Sequence, residues 1–251
     1  MRAPGRVPGI SQPLLALFSR YAAWFLGKHF HSIRLLASAA PPNDPPGPLV
    51  VFLNHAAWWD PLVCLFLRRQ FFHLRSAYAP IEAVALARYR FLGRLGFFAV
   101  ETGTTRGAAQ FLRTAGAILE TEGAALFLTP QGKFADVRAP LVFAPGLDHL
   151  AARTPGANFL PLAMEYSFWE ERKPEVLLAF GEAFPATAGA SLVPRLAELQ
   201  ARLAAAAARR QPNEWEILRQ SRSGVNLPYD LWRGMRARWR GESFRAGHGR
   251  L

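Results

Sequence analysis

A single cysteine, Cys64, stands in the 251-residue chain, so an internal disulfide is impossible and a zinc site built from several thiolates is excluded. It falls in the apolar run Leu62 to Leu67, where cysteine behaves as a small core residue, and this suits a cytosol-facing protein. Carboxylates are scarce too: 18 Asp and Glu against 30 Lys and Arg leave a formal charge of +12 at pH 7. Such an excess calls for an anionic partner, whether nucleic acid, an anionic membrane surface or an acidic substrate. No clean apolar run reaches the roughly 20 residues that a membrane-spanning helix needs. The nearest approach, Leu14 to Phe30, is interrupted by Ser19, Arg20 and Lys28 and lacks the cleavage site of a signal peptide. Walker A, G-x-G-x-x-G, G-x-S-x-G and H-E-x-x-H patterns are all missing, and there is no internal repeat.

What is present describes a folded protein. Apolar residues make up 51% and charged residues 19%, while 20 glycines and 20 prolines imply many punctuated turns rather than one long bundle. Three segments are expected: residues 1–40 as a basic leader and amphipathic helix, 41–210 as the main domain, and 211–251 as a basic aromatic extension. In residues 13–31, Leu14, Leu15, Leu17, Phe18, Tyr21, Trp24 and Phe25 alternate with Arg20, Lys28 and His29. That pattern suits a helix lying in a membrane interface, or equally one packed on the protein's own core. The extension interleaves Trp232, Arg233, Arg236, Arg238, Trp239, Arg240, Phe244 and Arg245, a composition for lipid headgroups, single-stranded nucleic acid or a solvated end.

Hydrophobic periodicity alternates between strand and helix. Strands are expected at Leu49 to Leu53, within Phe71 to Ala79, and at Phe97 to Val100, Ala124 to Leu128, Asn158 to Tyr166 and Val176 to Phe180. Helices are expected from Asp60 to about Arg69, then over Ile81 to Arg90, Ala108 to Glu122, Phe143 to Arg153 and Ser191 to Arg210. The alternation predicts an α/β fold, a mixed central sheet flanked by helices, with ligand groups gathered in the loops after the strands.

The loop after the first of these strands carries the best candidate for chemistry. His55 follows Leu49-Val50-Val51-Phe52-Leu53-Asn54, and Asp60-Pro61 opens the next helix. A turning loop brings two such residues face to face. Asp60 would then fix the tautomer of His55 and stabilise the imidazolium formed when its other nitrogen takes a proton. The structural alternative is an Asp60 N-cap with Pro61 at the first helical position and His55 as an ordinary surface residue.

Asn54-His55-x4-Asp60, the Gly96 to Glu101 loop, the Thr129-Pro130-Gln131-Gly132-Lys133-Phe134 turn and the Leu160-Pro161-Leu162 strand occur in that order. Together they resemble four blocks of the bacterial glycerolipid acyltransferase family, whose type member acylates lysophosphatidate; the match spans roughly residues 49 to 165. The resemblance implies that His55 is the base and Asp60 its orienter. No metal, bound cofactor or covalent acyl-enzyme is implied; acyl-CoA or an acyl carrier protein is the donor substrate. Asn54, Arg106, Gln131, Gly132, Lys133 and Arg138 become candidate substrate-binding residues. Two departures concern the acceptor. Thr102 stands where the family places a phosphate-holding arginine, with Arg106 the nearest replacement, and Gln131 stands where the third block has glutamate. The Gly132 turn is a candidate to place backbone N–H groups near the thioester oxygen as oxyanion donors.

The expectation is thus a peripheral or monotopic O-acyltransferase on the cytoplasmic face of the cell membrane. It would take a fatty acyl group from a thioester to a lipid hydroxyl of lysophosphatidate type. The departures keep open a non-phosphate acceptor, such as a glycosylated or hydroxylated lipid of the carotenoid glycoside kind. Water in place of the alcohol would make a hydrolase. A different class of answer is a non-catalytic basic protein that binds membrane or, less favoured, nucleic acid.

Overall fold

The structure is a computed structural model that describes residues 5–39, 44–185, 192–221 and 227–243. The first residues of the expected leader, the start of the proline-rich break and the last residues of the extension, Phe244 and Arg245 among them, lie outside the described residues. Chain order runs α1 (Gln12–His29), β1 (Ser32–Leu36), β2 (Leu49–Leu53), α2 (Asp60–Phe71), β3 (Ser76–Glu82), α3 (Ala83–Arg88), β4 (Phe97–Val100) and α4 (Thr105–Leu119). It continues through β5 (Ala124–Leu128), α5 (Gly146–Arg153), β6 (Asn158–Ser167), β7 (Glu175–Phe180), β8 (Phe184–Pro185), α6 (Leu192–Arg209), β9 (Trp215–Gln220) and α7 (Leu227–Trp239).

Among the described residues these strands form one nine-stranded sheet in the order β4-β3-β5-β2-β6-β7-β1-β9, with β8 paired to β6. From β4 to β6 every pairing is parallel; β7 and β9 each turn against a neighbour. The central strands are buried on both faces, which is why β2 reads Leu-Val-Val-Phe-Leu and β5 Ala-Ala-Leu-Phe-Leu without polar alternation. Val50 and Phe52 point to one core with Ala115, Ile118 and Leu150, under α4, α5 and α6. Leu49, Val51 and Leu53 point to the other, with Ala22 and Leu26 of α1 and Val63 and Leu67 of α2. Burying each such leucine or phenylalanine stabilises the fold by about 1.5–3 kcal/mol.

The mixed α/β sheet flanked by helices is as expected from the sequence, with the short β8 and two longer strands, β1 and β9, added. β1 and β9 come from outside residues 41–210, so the leader and the extension each supply a strand to the main sheet. Neither reads as a strand in sequence: β1 holds Ser32 and Arg34, whose burial depends on Glu175 across the sheet, and β9 has three polar residues in six, Glu216, Arg219 and Gln220. On α1, Leu15, Ser19, Ala22 and Leu26 face the core, while Leu17, Tyr21 and Trp24 are exposed on the other side. The helix therefore packs on the protein and keeps an aromatic face outward. That face is continuous, since Phe18 touches Phe91, and Tyr21, Trp24 and Phe25 link it to Trp58. No helix among the described residues is long and apolar enough to cross a membrane.

A proline inside β6 looks misplaced, because a central strand needs every backbone donor. Pro161 sits where β6 changes antiparallel partner: Phe159 is the last residue paired with β8 and Leu162 the first paired with β7. Gly181 accommodates the ring, since a Cβ there would come within 2.5 Å of Pro161 Cγ.

Candidate active site

The five parallel strands all point their carboxyl ends the same way, so the loops after β2, β4 and β5 lie along one edge of the sheet. At the end of β2, Asn54 is buried and used at both polar ends: its Nδ2 donates to Met164 O and its Oδ1 accepts from Met164 N, each at 2.9 Å. Asn54, expected from the sequence to bind substrate, thus splices β2 to β6 with both ends of its amide engaged within the protein. One residue later the loop after β5 grips His55 at both main-chain groups. Gln131 Oε1 accepts from His55 N–H at 2.7 Å, and Ala135 N–H donates to His55 O at 2.9 Å.

His55 Nδ1 lies 2.7 Å from Asp60 Oδ2, with the imidazole 19% and the carboxylate 1% exposed. Asp60 is the first residue of α2 rather than its cap; the cap position is Trp59. Its carboxylate turns inward, accepting from Ala57 N–H at 3.2 Å on each oxygen and from the Tyr166 hydroxyl at 2.7 Å on Oδ1. Three donors around one buried carboxylate hold it in a single orientation, and so orient the ring. Burial first, then the charge of Asp60 and the hydrogen bond to it, pushes the Tyr166 hydroxyl well above the ordinary tyrosine range, so it remains a donor. The same two influences, desolvation and the Asp60 charge, raise the Cys64 thiol far above its usual value. With Nδ1 engaged, Nε2 is the nitrogen that can take a proton. An exposed phenyl ring, Phe134, rests on the imidazole with ring centroids 4.3 Å apart.

The other expected substrate contacts divide. Gln131 and Gly132 reach the His55 loop as parts of its scaffold. Gly132, at φ 66°, closes a turn in which its own N–H donates to Thr129 O at 3.0 Å, so that N–H is not free to serve an oxyanion. Lys133 is exposed beside it. Arg138 is 86% exposed and forms two hydrogen bonds to Asp136, 2.8 and 2.7 Å long. That side-chain contact, with a backbone one, holds the Asp136 carboxyl far below the usual range and raises Arg138 in turn. Glu165, half-buried on β6, goes the other way: desolvation raises its carboxyl, against the opposing charge of Arg138. Arg106 lies exposed in the first turn of α4, whose cap Thr104 accepts from Gly107 N–H at 2.9 Å. Gly107 is required there, because a Cβ would sit 1.8 Å from Glu101 O. Two strands separate β4 from β2, so Arg106 shares the edge with His55 at about 14 Å of sheet and is not brought against it.

Tyr166, Phe134, Ala57 and Ala135 were not singled out from the sequence. Tyr166 had one legible signal, a tyrosine at the carboxyl end of a buried apolar strand, where a hydroxyl must find a partner.

This mixed nine-stranded sheet flanked by helices is a fold that the chain shares with a solved acyltransferase. Among solved structures it is similar to the 1-acyl-sn-glycerophosphate (LPA) acyltransferase PlsC from Thermotoga maritima. The TM-score is 0.51 at 16% identity, over 79% of this chain and 81% of that one. No family model matches the sequence, and comparison with curated proteins finds no match.

Proposed function

We propose that the protein is a membrane-associated O-acyltransferase that moves a fatty acyl group from an acyl thioester to a lipid hydroxyl. The observation that carries this reading is the oriented base: His55 fixed through Nδ1 by a carboxylate that Tyr166 and Ala57 hold in place. Nε2 takes the proton of the acceptor hydroxyl as its oxygen attacks the thioester carbonyl. The C–S bond of the resulting tetrahedral intermediate breaks, and the imidazolium returns its proton to the departing thiolate, so an ester and a thiol leave and the base is regenerated. His55 needs no nucleophile partner, since proximity and proton transfer supply the rate. Acyl-CoA and acyl carrier protein are both suitable donors, and the outward aromatic face of α1 running to Trp58 suits a lipid interface on the cytoplasmic side.

A lysophosphatidate-like acceptor is the first reading of the lipid hydroxyl. A second is favoured by the cations around the site. Arg138 is already matched by Asp136, and Arg106 stands strands away from His55. With neither arginine held against His55, the surroundings of the base suit an acceptor without phosphate, such as a glycosylated or hydroxylated lipid. The test is to incubate the protein with a labelled acyl thioester and a total lipid extract and identify the lipid that gains label. Label in a lipid, lost in His55→Ala, supports the reading. Label released as free fatty acid, or transfer by folded His55→Ala at the wild-type rate, overturns it.

A further inference from the structure

α7 carries its amphipathic pattern the wrong way round for a helix of a soluble fold. Leu231, Trp232, Met235 and Trp239 are exposed, Trp239 at 96%. On a 3.6-residue helix they share a sector of roughly 100°. The half-buried positions are Asp230, Arg233, Gly234 and Ala237, with Asp230 and Arg233 3.8 Å apart as an ion pair. An ordinary surface helix turns its apolar stripe to the core and its charges to water. Here water meets two tryptophans, a leucine and a methionine.

The rim of that stripe is cationic. Arg236 and Arg238 flank it on either side and Arg240 follows the last turn, all exposed. An apolar face bordered by arginine matches a bilayer surface with anionic headgroups, where the side chains enter the boundary and the guanidinium groups meet phosphate. Stacking of nucleic-acid bases fits less well, because the Trp232 ring is already stacked with Tyr229 and lies under the Arg236 guanidinium.

The last strand before this helix ends at the reacting end of the sheet. β9 runs antiparallel to β1 with Gln220 opposite Ser32, and Ser221 N–H donates to His31 O just after α1 ends. Since β1 is antiparallel in direction to β2, that end is the one where His55 sits.

We propose that α7 is an interfacial anchor that seats the protein on an anionic phospholipid surface through Leu231, Trp232, Met235 and Trp239, with Arg236, Arg238 and Arg240 on the lipid phosphates. It deepens the membrane-associated acyltransferase reading and rests on it for the meaning of the orientation, whereas the binding is measured without turnover.

Full-length protein is floated with phosphatidylcholine vesicles, with or without phosphatidylglycerol. Three forms are compared: wild type, a variant with all four outward residues changed to Gln, and R236Q/R238Q/R240Q. Both variants are to keep the wild-type melting temperature. The Gln variant is expected to lose about tenfold or more in partitioning to anionic vesicles, and the arginine variant to lose the preference for phosphatidylglycerol. In parallel, Trp239→Cys in a Cys64→Ala background is labelled with an environment-sensitive fluorophore, and its emission is expected to shift to the blue on anionic vesicles. Unchanged partitioning of both variants with no blue shift overturns the proposal. So does equal binding to neutral vesicles, a dimer that the Gln variant abolishes, or displacement by an oligonucleotide at equal phosphate concentration. Vesicle binding without acyl transfer would sink the enzymatic reading alone; acyl transfer with α7 idle would sink this one alone.

Discussion

Tyr166 and Asp60 are 106 residues apart in sequence and 2.7 Å apart in space, the hydroxyl of one on Oδ1 of the other. The contact exists because β6 runs past its last residue paired with β2 and delivers Tyr166 to the start of α2. A dyad in sequence is therefore a triad of side chains in the fold, and the third member is open to a test that packing alone would not answer.

Tyr166→Phe keeps the ring and removes one donor from a buried carboxylate. A hydrogen bond to a charged group contributes about 1.5–3 kcal/mol, so kcat is expected to fall about tenfold or somewhat more while KM for the acceptor holds. Asp60, relieved of one donor, becomes a stronger acceptor for the imidazolium, and the acid limb of the rate profile should move to higher pH. A fall in melting temperature with no change in that limb would leave Tyr166 a packing residue.

Gln131 acts through its carbonyl oxygen on the His55 N–H. Gln131→Glu retains an acceptor there and is expected to stay within a few-fold of wild-type turnover. Gln131→Ala leaves the N–H without its partner, a loss of about 1 kcal/mol, and should lower turnover about fivefold with faster amide exchange at His55. Steady-state rates and hydrogen exchange on the two variants check it. If both fall alike, the glutamine acts on substrate instead.

Glu165 gives a pH signature of a definite sign. Desolvation raises its carboxyl in the folded state, so its contribution to stability is complete below the unfolded value and lost as pH rises through the folded one. Glu165→Gln is expected to melt higher than wild type at neutral pH, with the gain vanishing as pH drops below the carboxylate range. Thermal melts across that range read it directly. A constant difference at every pH would refute it.

Beneath α6 a second polar group is buried: Glu175 accepts from Ser32 Oγ and lies 3.2 Å from Arg34 Nε, both carboxylate and guanidinium nearly inaccessible. Removing one partner strands a charge in the core, at a cost of about 3–5 kcal/mol. Urea unfolding of Glu175→Ala should show that loss, with His55 chemistry intact in whatever fraction remains folded.

Much of the sheet was legible because its strands are buried on both faces: β4 and β5 start and end where their apolar runs do. The His55/Asp60 pair was legible too, since a loop after one strand and the start of the next helix leave few ways to point. β1 and β9 were hidden because their polar residues find partners only across the sheet. Asn54 and Gly132 have partners that the sequence did not show, for a related reason. Residue type and position suggested ligand contact, whereas Asn54 bonds to Met164 on a distant strand and Gly132 closes its own turn. Tyr166 belongs with them: a side chain's partner 106 positions away leaves no local trace.

Pro161 bears on more than strand geometry. If β6 slid two residues along β7, an imino nitrogen would face a carbonyl that demands a donor, and the ring would lose the hollow that Gly181 leaves for it. Misalignment thus carries its own penalty five residues upstream of Tyr166, which ties the position of that hydroxyl to the register of the strand that bears it.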